Sequence, residues 1–137
     1  MKAPSVKTLR RAIAVLAGVG GLAAAAPTQA HHAFNMFALD QVVTVNGTVK
    51  DYQFKMPHVW FYMMMPGKDG AQEEWGFEAH SPNLVARKGW NINTLKAGDK
   101  LSVTMHPMRD GSHAASVIYV TLASGKVLWN AQSLKEP

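Results

Sequence analysis

Residues 72–90 read QEEWGFEAHSPNLVARKGW. From Gln72 to His80 the apolar residues Trp75, Phe77 and Ala79 alternate with Glu74, Gly76, Glu78 and His80. That period of two marks a strand with one face toward a core. At Ser81-Pro82-Asn83 the period changes. Serine is a favoured helix N-cap and proline a favoured first helical residue. Leu84, Val85 and Arg87 continue the helix, and Gly89 ends it. A strand therefore runs directly into a short helix, and the number of strands on either side decides the fold.

Two strands are expected before it. Leu39 to Phe54 carries Val42, Val43, Val45, Val49, Tyr52 and Phe54, interrupted by Asn46-Gly47. Asn-Gly is a hairpin signal, but a glycine inside a strand also marks a bend or barrel corner. One long strand bent at Gly47 is the preferred reading. His58 to Met65 is the second strand, and Pro66 to Gly70 is a turn. After the helix, Asn93 to Gly98 is a short turn. Leu101 to Pro107 is the fourth strand, Ala115 to Leu122 the fifth and Lys126 to Trp129 a short sixth. Arg109 and Asp110 are expected to fix the turn after His106, aspartate by capping it through the backbone. Asn130 to Pro137 is polar and read as a loose tail. An open sheet of this size leaves exposed edges, so closure is favoured. The expectation is an all-β chain with one short helix: a small five- to six-stranded barrel of the oligonucleotide/oligosaccharide-binding (OB-like) kind, plugged at one end by the helix.

Lys2, Lys7, Arg10 and Arg11 precede an apolar stretch of fifteen residues, Ala12 to Ala26. That stretch is short for a membrane span, which needs about 20 apolar residues. Small residues stand at −1 and −3 of a cut after Ala30, so residues 1–30 read as a secretory signal peptide; an uncleaved anchor is the alternative. The domain organisation expected is thus a signal peptide over 1–30, one barrel domain over 31–129 and a tail over 130–137, located in a bacterial periplasm, with no membrane association after cleavage. Without residues 1–30 the chain carries ten basic against nine acidic residues. That balance argues against nucleic acid, which needs a basic stripe. The sequence contains no cysteine, which excludes disulfides, thiolate metal sites and thiol nucleophiles. No nucleophile elbow and no Gly-rich phosphate loop occur. No catalytic residue is assigned, and a binding role ranks above an enzyme.

Cleavage after Ala30 would begin the mature chain His31-His32-Ala33-Phe34. An N-terminal histidine offers an α-amine and an imidazole nitrogen, a chelate suited to Cu(II). Strand parity places His58, Glu78, His80 and His106 away from the core, so His31, His58, His80 and His106 form the candidate copper set. Each has a plain alternative as a solvated or hydrogen-bonded surface histidine. His113, beside a turn, is read as solvent-facing. The methionines are read mostly as core, with Met64, Met105 and Met108 open as thioether ligands. Tyr52, Phe54, Trp60 and Tyr62 form an aromatic set off the core. With Trp90, the rings Trp60 and Tyr62 are candidates to hold a small ligand or a periplasmic partner protein.

Five blocks taken together resemble a known family. They are His31-His32-Ala33-Phe34; Pro57-His58-Val59-Trp60; Ser81-Pro82-Asn83-Leu84 through Arg87 to Gly89-Trp90; Leu95 to Asp99; and His106 to Gly111. They resemble small exported bacterial proteins classed as a domain of unknown function. Met56 stands where that pattern commonly has Asn before Pro-His, and Ala33 where it often has Ser. The resemblance implies a periplasmic single domain with a small barrel, and supplies neither a reaction nor a ligand.

Overall fold

The computed structural model describes residues 34–130. The expected signal peptide, His31 and tail residues 131–137 lie outside them. Six strands form one sheet: β1 (Val43–Gln53), β2 (Trp60–Pro66), β3 (Gln72–Glu78), β4 (Lys100–Pro107), β5 (Ala114–Leu122) and β6 (Val127–Trp129). Their order is β3-β2-β1-β4-β5-β6, and a pairing of β3 with β5 closes the first five into a barrel. The only helix longer than a single turn among the described residues, α1 (Pro82–Ala86), joins β3 to β4. The all-β barrel with one short helix expected from the alternation is therefore the fold observed.

Strand β1 runs unbroken through Asn46-Gly47. Its first half, Val43 to Thr48, pairs with β4, and its second half, Thr48 to Gln53, pairs with β2. The bend lies where a side chain has no room. A Cβ on Gly47 would lie 2.7 Å from Met63 Cε and 2.8 Å from both the Met64 carbonyl oxygen and Met65 Cγ. Asn-Gly here is a corner and not a hairpin.

A bulge then falls between Val49 and Asp51. One extra residue, Lys50, moves everything after it to the opposite face. Val49 is buried, and Tyr52, paired with the core residue Phe61, again faces inward. Tyr52 and Phe54 pack against the core instead of joining the outer aromatic set. The Tyr52 hydroxyl donates to the Asn91 carbonyl at 2.8 Å, and burial pushes its pKa up to about 12.

Elsewhere the parity holds. Val59, Phe61, Met63 and Met65 of the second strand region are buried, as are Phe77, Ala79, Leu101, Val103 and Met105. Helix α1 contributes Val85 to this core. Ser81 stands at its N-terminus without a side-chain capping bond, and Pro82 starts the helix. Trp90, expected on a ligand-binding face, is instead 2% exposed. Its ring lies 6.4 Å from Phe61, and its Nε1 donates to the Trp129 carbonyl at 3.0 Å. An indole satisfied in this way seals one barrel end.

The reading of Asn130 as tail is also corrected. Asn130 is 5% exposed. Its side chain accepts from the His80 amide and donates to the Val117 carbonyl, both at 2.8 Å. Asp110 accepts from the Ser112 amide at 2.9 Å, holding its turn as expected. Arg109 reaches instead to the Phe37 carbonyl at 3.0 Å and ties down the segment before β1.

Gly47 does not lie at positive φ, so a Gly-to-Ala change there would ordinarily stabilise by about 0.4–1 kcal/mol through the unfolded chain. The crowding at the bend reverses the sign. Gly47→Ala is expected to lower stability by about 1–3 kcal/mol, read as a fall in the urea midpoint. An unchanged or raised midpoint would contradict a steric origin of the bend.

Candidate functional site

Cross-strand partners point to the same side of a sheet, so the register assembles the outer face of the barrel. One row runs Gln53, Trp60, Glu78, Ser116 and His106 across β1, β2, β3, β5 and β4. The next runs Asp51, Tyr62, Gly76 and Ala114. Trp60 and Tyr62 are half-buried, their rings stacked at 6.3 Å and 20°. They lie over the bare backbone of Gly76, where a Cβ would meet Tyr62 Cε1 at 3.3 Å and Trp60 Cζ3 at 3.4 Å. A glycine flanked by cross-strand aromatics exchanges a side chain for ring contact, and the result is a continuous aromatic platform.

His58 and Glu78 border this platform, with His58 Nδ1 hydrogen-bonded to Glu78 Oε1. A carboxylate only accepts when ionised, so Nδ1 carries the proton and a neutral His58 keeps its lone pair on Nε2. The His80 ring lies 6.0 Å from that of His58, edge-on. Its tautomer is the opposite one. The Ser81 amide donates to His80 Nδ1 at 2.9 Å, so a neutral His80 carries its proton on Nε2. Burial, and next the charge of His58, push the pKa of His80 below its ordinary value of 6.5, against a smaller pull from Glu78. In this state His80 presents no open lone pair to a metal.

His106 stands at the far end of the first row, with Ser116 between it and Glu78. At the usual strand spacing that is about 10 Å. Its Nδ1 donates to the Gln41 carbonyl at 2.7 Å. The structure thus brings His58, Glu78 and His80 together and keeps His106 apart. Among the described residues no group of three or more histidine, aspartate or glutamate side chains is placed to hold a metal ion. Met105 is core, while Met64 and Met108 are half-buried.

The outer face carries Asp51, Glu74 and Glu78, and the nearby Lys50 is paired with Glu74. Sequence reasoning missed two features. Asn130 fixes the backbone entering His80, and no local pattern announces it. His113 is exposed, as its solvent-facing reading expected, but its ring also stacks on Trp75 at 4.9 Å and 12°, which was not foreseen. That contact follows from the parallel closure of β3 on β5, a long-range pairing without a sequence signature.

A family model described as "Family of unknown function (DUF6152)" matches residues 20–117. No curated protein matches the sequence. Among solved structures, the chain is similar to the mitochondrial single-stranded DNA-binding protein Rim1 of S. cerevisiae at 9% identity and a TM-score of 0.43. That match covers 66% of this chain and 96% of that one.

A histidine held neutral in the fold takes up a proton more readily once unfolded. The contribution of His80 to stability is therefore present above pH 6.5 and is lost as pH falls from there toward its lower folded pKa. The urea midpoint of wild type is expected to drop across that window, and His80→Asn to remove that part of the slope. An NMR titration placing the His80 imidazole at or above 6.5 would contradict this.

Proposed function

The chain belongs to this family of unknown function, and we propose that it is an exported, non-enzymatic binding protein whose ligand rests on the outer face of β2 and β3. The observation that carries the reading is the Trp60–Tyr62 platform bordered by the His58–Glu78 pair. Paired rings over a glycine offer a flat apolar surface, and stacking on it contributes about 0.5–1.5 kcal/mol beyond area burial. The dyad beside it supplies a directional acceptor. With Glu74 paired to Lys50, Asp51 and Glu78 still disfavour polyanions and no free cation on β2 or β3 offsets them, so the reading takes the ligand as neutral or cationic and not a nucleic acid. Export rests on residues 1–30, and the periplasm is the compartment this implies.

Copper binding is the second reading, and one observation favours it. Metal-ligating histidines almost always donate their other ring N–H to a carboxylate or carbonyl. His58 does so to Glu78, and His106 to Gln41. Each ring then offers Nε2. The amine and imidazole of a mature N-terminal His31 are the further donors this reading requires.

Two-dimensional NMR with a panel of neutral and cationic small molecules tests the first reading. Shifts are expected to concentrate on the Trp60 indole N–H, Tyr62 and Gly76, and Trp60→Ala to weaken binding at least tenfold, about 1.4 kcal/mol. Shifts confined to other surfaces would refute it. Electron paramagnetic resonance during Cu(II) titration tests the second. A single nitrogen-rich tetragonal signal that loses a nitrogen in His58→Ala supports copper, and no stoichiometric site removes it.

A further inference from the structure

The rows on the outer face leave one cluster unused. Past Gly76, strand β3 diverges from β5, and a cleft of about 720 Å³ opens at that end of the barrel. That volume falls within the usual range for small-ligand sites, and barrel mouths are a common place for them. Val45 and Met65 lie on its apolar side, and the stacked rings of Trp75 and His113 form a wall. Glu73 lines the same cleft. Its Oε2 faces the Trp75 Nε1–H and His113 Nε2, each at 3.5 Å. Its Oε1 has no hydrogen-bond partner among the described residues, so one carboxylate oxygen keeps its accepting capacity. Gly67 makes this placement possible, because a Cβ there would collide with the Glu73 carboxylate. Asp69 and Lys68 also line the cleft; Asp69 spends one oxygen on the Ala71 amide at 3.2 Å.

We propose that this cleft is a second binding site, separate from the outer β2–β3 face, for a small organic ammonium ion with an apolar body. The ammonium would donate to Glu73 Oε1, a charge-assisted bond roughly twice as strong as a neutral one. The apolar body covers Val45 and Met65. Glu73 and Asp69 outnumber Lys68 in the lining, so a carboxylate ligand is disfavoured. A neutral alcohol of the same shape keeps the apolar contact and loses the charge.

The test uses the purified full chain and three probes of one shape: cyclohexylmethylammonium, cyclohexylmethanol and cyclohexanecarboxylate. NMR reads the Trp75 indole N–H and the His113 ring, both in the cleft lining. The expected result is saturable shifts at these groups, with the ammonium bound at least tenfold more tightly than the alcohol and the carboxylate not bound. Glu73→Gln is expected to bring the ammonium down to the affinity of the alcohol while the Trp75 and His113 resonances persist. Gly67→Ala, which must move the carboxylate without removing it, is expected to reduce the preference in part. Equal binding of ammonium and alcohol overturns the proposal, as does a preference that survives Glu73→Gln. Shifts confined to Trp60 and Tyr62, with none at the Trp75 indole or the His113 ring, overturn it too, and assign the amine to the outer face alone. Failure of the outer-face reading leaves the Trp75 readout unaffected, so the two are separately decided.

Discussion

Strand β1 hydrogen-bonds to β4 along its first half and to β2 along its second, and at Gly47 its backbone passes directly against Met63, Met64 and Met65. A straight strand of this length would keep both neighbours side by side and leave an open sheet. The bend turns one sheet back on itself, so that β3 meets β5. Every other placement follows from that closure. The core fills the interior with Phe61, Phe77, Met63 and Met105. The outer rows inherit their order from the same register. Closure also hides the backbone edges that make open sheets prone to association.

The outer face owes its composition to a small number of backbone choices. The bulge at Lys50 sends Tyr52 and Phe54 inward, leaving Trp60 and Tyr62 as the aromatic pair outside. Gly76 lets those rings lie on the sheet itself. Asn130, reaching from the end of β6 to the His80 amide, locks the chain at the point where β3 gives way to α1. The His58 and His80 rings are then held close but in opposite tautomers, one by a carboxylate and the other by the Ser81 amide. Equal residue types at neighbouring positions therefore have unequal chemistry.

Much of this was legible in the residues. The strand order, the short helix after Ser81-Pro82 and the inward sets of β2, β3 and β4 follow from alternation, because a half-buried strand has only two faces to offer. The bend at Gly47 was legible as one of two readings of Asn-Gly. The bulge was not foreseen, although Lys50-Asp51, two adjacent polar residues between Val49 and Tyr52, break the alternation at that point. Trp90 was misplaced because a tryptophan after a helix-ending glycine reads alike whether it plugs a barrel or faces a ligand. The separation of His106 from His58 is a matter of register, which parity cannot supply. The stacking of His113 on Trp75 joins residues 38 positions apart across a parallel pairing, and local pattern carries no information about it.

The closure itself is brief. Three parallel pairs, Gly76 with Ala114, Phe77 with Ala115 and Glu78 with Ser116, complete the ring, and the Gly76 amide also donates to the His113 carbonyl at 3.0 Å. Parallel ladders are slightly weaker per residue than antiparallel ones, and this one is also the shortest of the five ladders that make the ring. Glu78 at one end of the seam belongs to the platform, and His113 at the other belongs to the cleft. The two surfaces thus border the same seam. A ligand that favours the closed seam at either surface lowers the free energy of closure for the other, and by linkage the effect is reciprocal. Protection of the Gly76 amide is the common currency in which both occupancies would be counted.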